Sequence, residues 1–269
     1  ESYKTEEGAF LDTFFFFCIK YVFLHTTCFV VSKLLCFSRY WEILLNLSML
    51  IEIWSDIMCP FCYIGKHQFD KALNALPFKE DIEVQYKSYQ LNPEYTHVEG
   101  DSTYGFLSRS KGISVEQAKE MTNHVVLMGK QAGVDINFDT NIPANTFKSH
   151  ELIHFAASKG NAKEMKERLF EAHFTEGLNI EKLEVLVQLA TEVGLLAEET
   201  KEALQTDRYA TAVRQDLHKA RQIGIRGVPF FLFDRKYAVS GAQGVEAFTE
   251  VLEKSYQEWK DNKPETTNN

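Results

Sequence analysis

The pattern of apolar and polar positions divides the chain from Met49 onward into three blocks. MLIEIW, from Met49 to Trp54, alternates over a short run, the period of a half-buried strand. In CPFCYIGKHQFDKALNAL the apolar Tyr63, Ile64, Phe69, Leu73 and Leu76 recur at helical spacing, which predicts a helix opening at Cys59 and Pro60. DIEVQYKSYQL is a second β-rich run, ended by Asn92 and Pro93. From residue 94 to about 224 the periodicity is helical throughout, apart from connectors. Ser114 and Gln117 stand at capping-box spacing and predict a helix through Lys130. Met165, Leu169, Phe170 and Phe174 form one apolar stripe, and Leu183, Leu186, Val187, Ala190 and Val193 form another, stopped by Gly194. Beyond Gly224 to Gly227 the pattern returns to strands: VPFFLF, a two-residue turn at Asp234 and Arg235, then KYAVSG. A last helix is predicted from about Val245 to Trp259, followed by a polar tail over 260–269.

The order is βαβ, a helical block, then ββα. No repeat and no Pro- or Ser-rich linker separates the blocks, so the helices over 94–224 read as an insertion into an α/β unit formed by 49–93 and 225–259. Residues 1–48 differ in kind. They are rich in Phe, Leu and Cys, but Lys20 and Lys33 interrupt them, and the uncharged stretch from Tyr21 to Ser32 falls short of the roughly 20 residues of a membrane span. An acidic start and the lack of a small-x-small site also argue against a cleaved signal peptide. The expectation is an extension outside the fold, with the chain proper beginning at Met49, a cytoplasmic location, and membrane association only through 1–48.

A net charge of -9, with basic residues scattered rather than blocked, gives no electrostatic footprint for nucleic acid. The five cysteines are Cys18, Cys28, Cys36, Cys59 and Cys62, a distribution unlike a disulfide-framed secreted domain. The pair in SDIMCPFCYIG has three possible uses: half of a zinc site, a structural clip, or a reactive dithiol. No second C-x2-C completes a zinc site, and a chain with this apolar content needs no clip. At a helix N-terminus, with Pro60 in the first turn, Cys59 would meet unpaired N–H groups and the positive end of the helix dipole, which favour a thiolate. Cys62, three residues on, is placed to resolve a mixed disulfide formed at Cys59. Asp56 either tunes Cys59 and relays a proton or caps the turn after the first strand. In GIRGVPFFLF, Pro229 enters a strand, where a cis Val228–Pro229 bond is expected, with the Val228 backbone free to pair with a substrate peptide. A competing motif is HELIH, His150 to His154, which satisfies H-E-x-x-H and with Glu171 or Glu176 as third ligand would make a zinc metalloprotease.

Four stretches, IEIWSDIMCPFCYIGK, the strand ending YQLNP, NTFKSHELIHFA and GIRGVPFFLFDRKYAVSGAQ, resemble the DsbA-like family of thioredoxin-fold oxidoreductases, most closely its FrnE-like branch. The resemblance implies a thioredoxin fold with a large inserted helical domain. It implies Cys59 as nucleophile, Cys62 as resolver, and Pro229 as a cis proline opposite them, with Phe61 and Val228 at the substrate. It places His150 where the helical domain meets the active site and asks for no metal there. Substrates would be protein thiols or disulfides, with a recycling thiol or disulfide partner and no cofactor beyond a redox-active Cys59–Cys62 disulfide. Phe61 stands where family members often carry Trp or His. The rival within the superfamily is a glutathione-dependent kappa-type isomerase or transferase, which carries Ser where Cys59 stands.

Overall fold

The structure is a computed structural model in which residues 48–96 and 98–263 are described. The apolar segment before Ser48 and the end of the polar tail lie outside the described residues, as do Cys18, Cys28 and Cys36.

The first half consists of strand β1 (Met49–Ser55), helix α1 (Pro60–Ala75) and strand β2 (Ile82–Ser88). Seven helices follow: α2 (Thr103–Lys111), α3 (Val115–Ala132), α4 (Phe147–Ala157), α5 (Ala162–Phe174), α6 (Leu183–Glu192), α7 (Ala197–Gln205) and α8 (Ala210–Gln222). The chain then returns to β3 (Phe230–Phe233), β4 (Tyr237–Ser240) and α9 (Val245–Asp261). The order anticipated from periodicity is present. The capping box is formed, with Gln117 N–H donating to Ser114 Oγ and Ser114 N–H donating to the Gln117 side chain. Asp234 and Arg235 both take positive φ (46° and 57°), the two-residue turn whose twist matches a hairpin. The β2 run is shorter than the sequence pattern suggests. Tyr89 N–H still donates to Ser55 C=O at 3.3 Å, and beyond it Leu91 N–H donates to the buried Asp56 Oδ2, while on the outer edge of β2 Ser88 N–H donates to Asp216 Oδ2.

The sheet order is β2-β1-β3-β4. β1 runs parallel to β2, with Met49 opposite Ile82 and Ser55 opposite Ser88, and antiparallel to β3, with Trp54 opposite Phe230. A parallel pair requires a crossover, which α1 provides. One sheet face carries Ile51, Ile53, Phe231 and Phe233 against Phe69 of α1 and Phe248 and Leu252 of α9. The other places Trp54 against Ala220 of α8. A separate core fills the helical insertion, and it includes Cys62, Tyr63 and Ile64 from the first turns of α1. Helix α1 therefore belongs to both cores: its beginning packs among the inserted helices and its later turns pack on the sheet.

A polar clasp holds α1 to α5. Lys66 Nζ reaches Asp70 at 2.9 Å and also Glu167, whose other oxygen lies 2.7 Å from His67 Nε2. Burial alone would raise the Glu167 carboxyl, but the His67 ring and the Lys66 ammonium draw it down to about 2 from an ordinary 4.5. A carboxyl depressed by folding contributes stability above its unfolded pKa and loses it as pH falls through the folded value. The urea midpoint should therefore drop between about pH 4.5 and about pH 2, and Glu167→Gln should flatten that fall. Equal pH slopes in the two proteins would contradict the clasp. Among the described residues no helix is long and apolar enough to cross a membrane.

Candidate active site

Cys59 is the N-cap of α1, in extended backbone (φ −94°, ψ 109°), and Pro60 is the first helical residue. Proline fits there because the missing N–H would have no partner within the helix. Both Cys59 and Cys62 are free thiols and buried, at 4% and 1% exposure. Cys62 N–H donates to Cys59 C=O at 3.0 Å, the first turn bringing the two residues together. Burial and the neighbouring Cys59 push the Cys62 thiol well up, while a backbone hydrogen bond involving Asp56 and the charge of Lys166 oppose this.

The Val228–Pro229 loop faces this helix end. The peptide bond is cis, and Cys59 Sγ donates to Val228 C=O at 3.6 Å. Pro229 C=O in turn accepts from Gly241 N–H at 2.8 Å, which ties the loop to the end of β4. The loop can approach α1 because residue 65 is glycine: a Cβ there would lie 3.0 Å from Pro229 Cγ and 3.5 Å from Phe231 Cζ. Gly65 is a positioning residue that the sequence reading passed over. The available signal was a glycine in mid-helix, which costs about 1 kcal/mol relative to alanine and so usually has a packing reason.

Beneath the cysteines lies a polar cluster. Asp56 is inaccessible to solvent, and its carboxylate accepts from Leu91 N–H and Thr146 Oγ1, both at 2.7 Å, with His150 Nε2 at 3.4 Å. Burial alone would raise the Asp56 carboxyl, yet His150, Leu91 and Thr146 together hold it below the usual range. His150 is pushed down by burial, against the pull of Asp56. Asp56 thus sits beside His150, as a tuning role would need, and also fixes backbone through Leu91 N–H, as a cap would. Beside Cys59 opens a cavity of about 590 Å³, lined among others by Phe61, Leu91, Phe106, Met121, Phe138 and His173. Phe61 is 39% exposed at its rim. The cavity and the roles of Gly65, Thr146 and His173 depend on contacts across the fold.

The HELIH segment forms part of α4, but its residues are separated by function. His150 faces Asp56, whereas His154 Nε2 lies 3.0 Å from Asp216 Oδ2 and 3.2 Å from Ser88 Oγ. Glu151 is paired with Lys148 at 2.9 Å. Glu171 and Glu176, the third ligands the motif would need, both lie against Arg168. No cluster of three potential metal ligands occurs among the described residues. Nor do Ser88, His154 and Asp216 form a nucleophilic relay, because serine and aspartate meet the same ring nitrogen, whereas a relay uses both.

The DSBA-like thioredoxin domain matches residues 50–253. The chain is 31% identical over 204 residues to an uncharacterized protein, YwbO, of Bacillus subtilis, covering 75% of this chain and 94% of that protein. Among solved structures it is similar to a "probable DsbA oxidoreductase" from Streptomyces coelicolor, at 36% identity and a TM-score of 0.73, over 78% of this chain and 91% of that one. It also shares its fold with a cytosolic disulfide reductase, DsbM, from Pseudomonas aeruginosa, solved with GSH, at 18% identity and a TM-score of 0.56, over 77% and 99% of the two chains. With a thioredoxin-type sheet, an N-terminal helix capped by the first of two cysteines and a family match across both halves of the fold, the chain belongs to the DSBA-like thioredoxin domain family.

Proposed function

We propose that the protein is a thiol–disulfide oxidoreductase that exchanges electrons with protein thiols or disulfides through Cys59 and Cys62. The observation that carries this reading is the placement of Cys59 Sγ: at a helix N-terminus, 3.6 Å from Val228 C=O, and beside an apolar cavity. Cys59 forms the mixed disulfide with a substrate sulfur. Cys62 attacks Cys59 in turn and releases the substrate. An extended substrate segment would lie along Val228, whose N–H donates to no described group, with an apolar side chain against Phe61. The kappa-type alternative requires serine where this chain has the Cys59 thiol, and the metalloprotease alternative requires side chains that are here engaged elsewhere.

The test is to trap the intermediate. Cys62→Ala should accumulate a covalent, dithiothreitol-sensitive adduct with oxidised insulin, visible on a non-reducing gel, because the resolving sulfur is gone. The same adduct forming when Cys59 alone is replaced would assign attack to the wrong sulfur and reject the mechanism.

A further inference from the structure

The cavity beside Cys59 contains one polar side chain that the fold leaves unused. His173 of α5 is 1% exposed, it lines that cavity, and its Nδ1 has no hydrogen-bond partner among the described residues. A buried ring nitrogen that pairs with nothing in the fold has lost water without replacement, so it is best matched by a group that arrives with a ligand. The other polar groups of the buried wall are engaged. Thr103 Oγ1 donates to Asn141 Oδ1 at 2.6 Å, Asn141 Nδ2 donates to the His173 C=O at 2.6 Å, and Thr122 Oγ1 donates to the Ala118 C=O at 3.0 Å.

The rest of the wall sets the chemistry of the occupant. Phe138 and Phe174 are buried, and the Phe174 ring stands 4.6 Å from the His173 ring at 70°. Phe61, Leu91 and Met121 are exposed at the mouth. The volume, about 590 Å³, lies in the range of pockets that enclose a whole ring-bearing ligand. Burial takes His173 down to about 4, against the pull of Asp56, so the ring is neutral near pH 7. A charged group brought to this apolar wall would lose its hydration and find no opposite charge beside His173. The fitting group is therefore aromatic, neutral and tipped with one hydrogen-bonding atom. A tyrosine hydroxyl both donates and accepts, which suits either state of an imidazole nitrogen; a tryptophan N–H only donates, and phenylalanine does neither.

We propose that this cavity is a tyrosine subsite, which takes a tyrosine side chain standing two residues from the reacting cysteine of a substrate protein and hydrogen-bonds its hydroxyl to His173. This rests on the redox reading above and names the substrate that reading leaves open. Cys59 lines the same cavity, so the substrate sulfur and the tyrosine approach one wall. In an extended segment, side chains two positions apart share a face and stand about 7 Å from each other. The ring packs against Phe138 and Phe174, and Phe61 covers it at the mouth.

The test is oxidation of the reduced full chain by pentapeptides with a central cysteine, glycine on either side and tyrosine, phenylalanine or alanine at both ends. Each is supplied in excess as its symmetric disulfide, so that either sulfur attacked gives the same adduct and the same leaving thiolate. The second-order rate is read from acid-quenched samples as Cys59–Cys62 disulfide formed. In the wild type, phenylalanine should exceed alanine by about 10-fold through burial of the ring, and tyrosine should exceed phenylalanine by about another 10-fold through its hydroxyl. In His173→Phe the ratio of tyrosine to phenylalanine should fall to about one. Met121→Trp, at an exposed position of the mouth, narrows the entrance and serves as the second variant if the His173 protein fails to fold; it should bring both aromatic peptides towards the alanine rate. Equal wild-type rates for tyrosine and phenylalanine overturn the subsite, and so does a tyrosine advantage that survives in either variant. Absence of peptide oxidation dependent on Cys59 overturns the redox reading itself.

Discussion

Cys59→Ser is expected to abolish insulin reduction, a loss on the order of 10³-fold or more. The reason is chemical: an alcohol is not ionised near neutral pH and cannot form the mixed disulfide on which exchange depends. The substitution also separates chemistry from folding. Cys59 is an N-cap whose side chain makes no capping hydrogen bond, and serine is among the best N-caps. The thermal midpoint of the variant should therefore be unchanged or slightly raised while turnover disappears. Retained turnover, measured beside an intact far-UV spectrum, would remove Cys59 from the mechanism.

Gly65→Val is the second large effect, and it acts without touching either sulfur. A Cβ at position 65 stands 3.0 Å from Pro229 Cγ and 3.6 Å from the Ala242 Cα, so branched carbons must displace the proline loop. Overpacking of this kind costs about 1–3 kcal/mol. Moving Val228 and Pro229 away from Cys59 by even a fraction of an ångström disturbs the surface on which substrate is aligned, and a displacement of about 1 Å can cost about 10²-fold in rate. Gly65→Ala is the control. The helix gains about 1 kcal/mol of intrinsic propensity, which offsets the tighter contact, so stability should stay nearly level while kcat/KM against insulin falls less than in the valine variant. A valine variant with full kcat/KM would show that the spacing of helix and loop is immaterial.

The elements were legible wherever a local rule governs them. Alternation located β1, the Ser114–Gln117 spacing located the start of α3, and Pro60 after Cys59 located the start of α1. The end of β2 was not legible, because Leu91 N–H goes to the Asp56 carboxylate, a partner 35 positions away that the local pattern does not show. The same limit divides the site. The cysteine pair stands out by residue type and spacing, and Pro229 by its place at a strand entry together with the resemblance to the DsbA-like family. The division of HELIH between Asp56 and Asp216 does not, since those partners lie at opposite ends of the folded chain's sequence. His173 left a trace: Lys166, Phe170 and His173 recur at helical spacing on one buried face, so polar residues share a face with core aromatics. Only the fold shows that His173 and Cys59 line the same cavity.

The antiparallel pairing of β1 with β3 has a consequence for the order in which the protein is made. Cys59 and Val228 are 169 positions apart, so a growing chain presents its two thiols long before the loop that covers them exists. Joining the two halves of the sheet first would close a very long loop for few contacts, whereas local helix pairing in the insertion shortens the span to be closed. On these grounds the inserted helices are expected to pair before the sheet closes. Until β3 docks, β1 and the two cysteines lack the cover that the β3 strand and the Val228 loop supply.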